Sequence, residues 1–210
     1  MIVTIGGVKG GTGKTTLATN LAVMRSKKKK VLLVDGDEQK SSTLWVNHRE
    51  ALGVPTKWTT VQIVGKAIYT EIPKIKSSYQ DIIIDVGGRE TNALRAAFAV
   101  SNIVIIPFKP RSFDIWTLAD MTRIISEMRP TNPKLKVYSV INQADSRGID
   151  NDESLKILQE CEEMECLDIT IGARKVFGNA VSEGLGITEM KNKDLKATEE
   201  IHALYDFIYN

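Results

Sequence analysis

Gly6-Gly7-Val8-Lys9-Gly10-Gly11-Thr12-Gly13-Lys14-Thr15-Thr16 lies between a short β-branched run at 2–5 and an amphipathic stretch at 15–25. A strand that runs into a glycine-rich turn and straight on into a helix builds an anion site. Glycines at 10, 11 and 13 let the backbone curl until several N–H groups face one point, and the helix start adds its positive dipole end. Lys14 can then reach the outer phosphates of a nucleotide, and the Thr15 hydroxyl can ligate magnesium. Strand, loop, lysine, hydroxyl and helix fall in the order this chemistry requires, although Val8 stands where the strict G-x-x-x-x-G-K-[ST] pattern has its first glycine.

Outward from this loop the same alternation continues. Apolar runs at 31–34, 82–84, 103–106, 137–141 and 167–171 predict strands buried on both faces, with 58–63 a weaker candidate. Stretches at 42–52, 64–77, 92–100, 114–128, 151–164 and 194–209 predict helices, the one containing Pro73 least securely. The expected fold is α/β, a mainly parallel twisted sheet with helices on both faces, in a single domain over 1–210. The chain has 210 residues with 28 Lys and Arg against 26 Asp and Glu, a charge of +2 too small to imply a polyanionic partner by itself. No apolar run approaches the ~18 residues that cross a bilayer, and no signal-peptide pattern opens the chain. Cytoplasmic residence and reduced thiols at Cys161 and Cys166 are therefore expected. Two thiols with only His48 and His202 to help cannot be expected to complete a four-ligand zinc site.

Two acidic strand ends extend the phosphate chemistry. Val31-Leu32-Leu33-Val34-Asp35-Gly36-Asp37-Glu38-Gln39 projects carboxylates from the edge of the sheet where α/β proteins bind ligands. An aspartate there can hold the magnesium shell or position a water, and an acidic turn that caps the following helix is the plain structural reading. Asp81-Ile82-Ile83-Ile84-Asp85-Val86-Gly87-Gly88 is an apolar strand ending in aspartate, where Asp85 can hold magnesium through a water. Asp81 is expected to have no role. The run 27–30, four lysines, reads as a solvated loop at the other end of the sheet, with a contribution to a nucleic-acid patch as the alternative.

Lys9-Gly10-Gly11-Thr12-Gly13-Lys14-Thr15-Thr16 resembles the deviant Walker A motif of the ParA/MinD superfamily of ATPases, with Lys9 in the place of its signature lysine. The resemblance implies a P-loop NTPase fold, ATP and Mg2+ as ligands, and a homodimer closed face to face around ATP. Gly10, Gly11, Thr12, Gly13, Lys14, Thr15 and Thr16 would cradle the phosphates, and Lys9 would reach the partner's nucleotide, as an arginine finger does. Lys9, Lys14 and Asp37 would be the catalytic residues, with Asp37 orienting the attacking water. Asp35, Thr15 and Asp85 would serve the metal. Asn142 matches an adenine-contacting position, although a plain strand-end turn explains it as well. Ile105-Ile106-Pro107-Phe108-Lys109-Pro110, followed by Ser112 and Asp114, resembles a proline-bearing loop near the nucleotide, or else a turn with a helix cap.

The segment from Arg174-Lys175 to Glu189, followed by Lys191, Lys193 and Lys196, resembles the C-terminal part of short partition ATPases that lack an N-terminal helix-turn-helix domain. Those five basic residues would grip nonspecific double-stranded DNA in the ATP state, associating the protein with the nucleoid, while a centromere-binding partner stimulates hydrolysis. An ordinary lysine-bearing surface is the plain reading. The function so implied is plasmid or chromosome partition. Alternatives are a positioning ATPase for a protein cargo, and a P-loop metabolic ligase or kinase. A membrane-positioning ATPase would need a basic amphipathic C-terminus, and 199–210 is acidic instead.

Overall fold

The structure, a computed structural model, describes residues 1–88, 91–110, 117–146 and 149–210. Its strands are β1 (Ile2–Ile5), β2 (Val31–Asp35), β3 (Thr59–Gln62), β4 (Asp81–Asp85), β5 (Ile103–Phe108), β6 (Lys136–Ala144) and β7 (Glu165–Gly172). They form a 7-stranded sheet in the order β3-β2-β4-β1-β5-β6-β7. Every neighbouring pair runs parallel. The helices among the described residues are α1 (Lys14–Arg25), α2 (Ser41–Ala51), α3 (Ala67–Ile75), α4 (Thr91–Val100), α5 (Leu118–Met128), α6 (Ile149–Gln159), α7 (Lys175–Ser182) and α8 (Leu195–Tyr209).

Alternation along the buried strands divides the core in two. Val3 and Ile5 of β1, Val31 and Leu33 of β2 and Ile83 of β4 pack with Leu17 and Leu21 of α1, Trp45 of α2 and Ile201 and Leu204 of α8. Leu32, Val34, Ile82 and Ile84 face the other way, against Ile68 and Ile72 of α3, Phe98 of α4, Ile124 of α5 and Leu158 of α6. β1 lies between β4 and β5, so α1 leaves toward β2 over one face while α4 reaches β5 over the other. That reversal opens a crevice at the C-terminal end of β1, where the glycine-rich loop emerges.

Some boundaries depart from expectation. α3 is shorter than 64–77 and is followed by a 3-10 turn, Lys76–Ser78. Burial of Ile68 and Ile72 keeps the segment helical around Pro73 despite the hydrogen bond its ring removes. The helix expected over 151–164 ends at Gln159, because Glu160, Glu162 and Glu163 would place like charge at the negative end of its dipole. Cys161 therefore sits on a connection and Cys166 in β7, both as free thiols. Ser112 and Asp114 lie outside the described residues.

Candidate functional site

The loop between β1 and α1 wraps around one side of a cleft of about 420 Å³ lined by Gly10, Gly11, Gly13, Lys14, Thr15, Thr16, Asp37, Gln39, Ser41, Gly88 and Gln143. Gly13, the residue before α1, has φ of 88°, a left-handed value that favours glycine. A Cβ there would also lie 2.3 Å from Asn142 Nδ2. Lys14 is buried and its ammonium donates to the Lys9 carbonyl at 2.5 Å, which holds it across the mouth of the loop. Lys9 itself is half-buried. The Thr12 hydroxyl is buried within the loop without a hydrogen-bond partner, while the glycines at 10, 11 and 13 line the cleft and leave its floor to backbone, which suits a phosphate.

Asp85 ends β4 next to Asp35, its register partner on β2. Burial, with the charge of Asp35 adding to it, pushes the Asp85 carboxyl up to about 6 against hydrogen bonds from Ser42 and Thr15 and the charge of Lys14. Ser42 donates to Asp85 Oδ2 at 2.5 Å. Asp85 and the Thr15 hydroxyl form an oxygen-only set, which suits magnesium, an ion that keeps several waters. Among the described residues no three His, Cys, Asp or Glu side chains gather at one point.

Asp35, also expected to serve the metal, is tied to the turn that follows β2. It is fully buried, and its oxygens accept from the Asp37 N–H at 3.2 Å and the Thr43 N–H at 2.8 Å. It satisfies an orphan donor in the first turn of α2 and fixes the turn that carries Asp37. Asp37 lines the cleft and lies against Gly87, where a Cβ would sit 1.9 Å from Asp37 Oδ2. A Cβ on Gly88 would meet the Val8 carbonyl oxygen at 2.5 Å. The two glycines after β4 are thus what lets three loops converge.

A second cavity of about 330 Å³ adjoins the first, sharing Gly13, Thr16 and Gln143, and is closed by Leu17, Asn142, Ala173, Arg174 and Phe177. Its apolar walls and position beyond the phosphate loop suit a base. Asn142 stands in its wall, but its Nδ2 is committed to the Thr12 carbonyl at 2.5 Å. Gln143 was not singled out from the sequence. Its φ of 58° and its bond to the Gly11 carbonyl at 3.0 Å depend on a turn that no local pattern announces.

The basic residues expected on DNA divide. Arg174 is drawn into an ion pair with Glu200 of α8, Nη2 to Oε1 at 2.5 Å and Nε to Oε2 at 3.3 Å, at the wall of the second cavity. Glu200 occupies the Nε–Nη2 edge of the guanidinium, so Arg174 differs from the expected lysines in being paired. Lys175, Lys191, Lys193 and Lys196 are exposed. So are the four lysines at 27–30. Asp81, expected to have no role, binds Arg25 Nε at 2.7 Å and the N-terminal ammonium at 3.2 Å.

Residues 3–187 match the model of the CobQ/CobB/MinD/ParA nucleotide binding domain. The chain is 25% identical over 215 residues to maintenance of carboxysome distribution protein A of Halothiobacillus neapolitanus, covering 95% of this chain and 92% of that one. The crystal structure of a putative plasmid partition protein from Borrelia burgdorferi bound to AMPPNP is similar in fold, with TM-score 0.77, 22% identity and coverage of 99% of this chain and 98% of the other. So is the septum site-determining protein MinD of Pyrococcus horikoshii complexed with Mg-ADP, with TM-score 0.74, 20% identity and coverage of 100% and 96%.

Proposed function

The chain belongs to the CobQ/CobB/MinD/ParA family of nucleotide-binding domains, and from that premise we propose that it is a partition ATPase whose ATP-bound dimer binds DNA without reading sequence. The observation that carries the reading is the convergence of the phosphate loop, Asp37, Gly88 and Ser41 on one cleft. In this proposal the N–H groups of 10–16 and Lys14 hold the phosphates of ATP, and the purine enters the cavity walled by Asn142 and Phe177. Thr15 and Asp85 hold magnesium, which would supply charge neutralisation at the phosphates. Asp37 orients the water that attacks the γ-phosphate. Lys9 reaches the nucleotide of a second copy, and hydrolysis ends the dimer. A centromere-binding partner would accelerate that step.

The relative from Halothiobacillus neapolitanus favours a second reading, in which the same cycle positions a protein cargo. The two share the DNA step and differ in the protein that stimulates hydrolysis. The test of both is binding to random-sequence double-stranded DNA with ADP, ATP or AMPPNP across a salt series. Binding that requires ATP or AMPPNP and weakens steeply with salt supports a DNA-riding ATPase. Equal binding with ADP and AMPPNP, or none with either, overturns it. A purified stimulating partner that binds centromere DNA then favours partition, and one that binds a protein assembly favours cargo positioning.

A further inference from the structure

β6 does not end as a plain strand. Its pairing with β7 is irregular between Asn142 and Ala144, and Gln143 between them has φ of 58°, a conformation that a residue with a Cβ adopts at a cost. In a regular strand adjacent side chains point to opposite faces. The turn at Gln143 suspends that rule, and both amides reach the phosphate loop. Asn142 Nδ2 donates to the Thr12 carbonyl at 2.5 Å and Gln143 Nε2 to the Gly11 carbonyl at 3.0 Å. Across a trans peptide, the C=O of one residue and the N–H of the next point in opposite directions. Holding the carbonyls of Gly11 and Thr12 toward β6 therefore turns the N–H groups of Thr12 and Gly13 into the hollow of the loop. Gly13 leaves room for this bracing, since a Cβ there would lie 3.3 Å from Gln143 Nε2 as well as against Asn142.

We infer that Gln143 is a positioning residue that, with Asn142, holds the phosphate loop in its anion-binding form; the inference rests on the nucleotide reading above. Backbone strain is retained at Gln143 because it places a second amide on the loop. Gln143 also lines both cavities, so its effect on the phosphates must be separated from contact with a base.

Gln143→Gly makes the separation, because glycine removes the amide and relieves the left-handed strain together. The variant should keep a single cooperative thermal transition with only a small shift in midpoint, because relief of the left-handed backbone offsets the lost amide bond and the greater freedom of glycine in the unfolded chain. Calorimetric titration in magnesium uses ATP and inorganic tripolyphosphate, which has no base. Both affinities should fall by a similar factor, about tenfold for one lost hydrogen bond. Phe177→Ala, at the wall of the second cavity, should weaken ATP and leave tripolyphosphate unchanged. Unaltered binding of both ligands by Gln143→Gly overturns the inference. Loss for ATP alone overturns it by moving Gln143 to base recognition, and loss of the cooperative transition overturns it by making the role structural. An unsubstituted chain that binds neither ligand overturns the nucleotide reading itself.

Discussion

Asp85 is an ionisable group placed where ionisation is costly. Its carboxyl is pushed by burial from the ordinary value of 3.8 to about 6. The folded chain therefore binds this proton more tightly than the unfolded chain does. Its contribution to stability is full below about pH 4 and is lost as pH rises through 6. Asp85→Asn should accordingly stabilise the nucleotide-free protein at pH 7.5, by on the order of 2 kcal/mol, and do much less at pH 4.5; thermal melts at the two pH values check this. A cation held at Asp85 as proposed would compete with the proton, so magnesium-dependent nucleotide binding should strengthen from pH 5 to 7.5, and less steeply in Asp85→Asn, where the terminal phosphate of ATP still titrates. Gly13→Ala combines a φ of 88° with a collision at Asn142. It should cost about 1–3 kcal/mol and abolish detectable ATP binding in the same titration. Asp37→Ala should bind ATP with near-normal affinity and lose most hydrolysis, since Asp37 is proposed to act on water and not on the phosphates. Loss of ATP binding would remove that role.

α2 joins the cleft to the distant side of the molecule. Its first turn is tied to the site through the Asp35–Thr43 and Ser42–Asp85 bonds. Near its other end, Arg49 is 3% exposed and binds both oxygens of Glu189, at 2.6 and 2.8 Å, together with the carbonyls of Gly184 and Pro55. Its guanidinium also lies 5.2 Å from the centroid of Trp58, which stacks on Trp45. Burial pushes the Glu189 carboxyl up, but the Arg49 guanidinium and the Gly186 N–H outweigh it and hold the group below its ordinary range. Removing one partner of such a pair leaves a poorly solvated charge. Arg49→Ala should destabilise the fold by about 3 kcal/mol in denaturant titration, and Arg49→Lys should recover little, because an ammonium cannot span two oxygens and two carbonyls.

Across the whole molecule, the sheet reverses its winding at β1 and gathers the nucleotide residues at one edge, while charge is distributed with little net excess. A net +2 cannot by itself drive DNA binding. If the chain binds DNA as proposed, the exposed lysines 191, 193 and 196 would have to act as a local patch. Replacing all three by alanine should weaken DNA binding uniformly across sequences and lower the salt slope by about one unit for each lysine that touches a phosphate. ATP binding should be unchanged. No helix among the described residues is long and apolar enough to cross a membrane.

The strands and the phosphate loop were legible because their causes are local. Doubly buried parallel strands need continuous apolar runs, as at Ile82-Ile83-Ile84, and an anion nest needs Gly11 and Gly13 in a short turn before a helix. Strand order, the place of β1 between β4 and β5, and the meeting of Asp37 with Gly87 depend on contacts between distant segments, which no local pattern records. The same holds for side chains with more than one available partner. Asp35 has the residue type and position expected of a metal ligand, and only the fold shows that two backbone N–H groups of the following turn also bind its oxygens. Arg174 looked like a free cation until α8 brought Glu200 beside it. Residue type limits what a side chain can do; the neighbours supplied by packing decide which of those interactions it makes, because a buried polar group must find its partners within the fold.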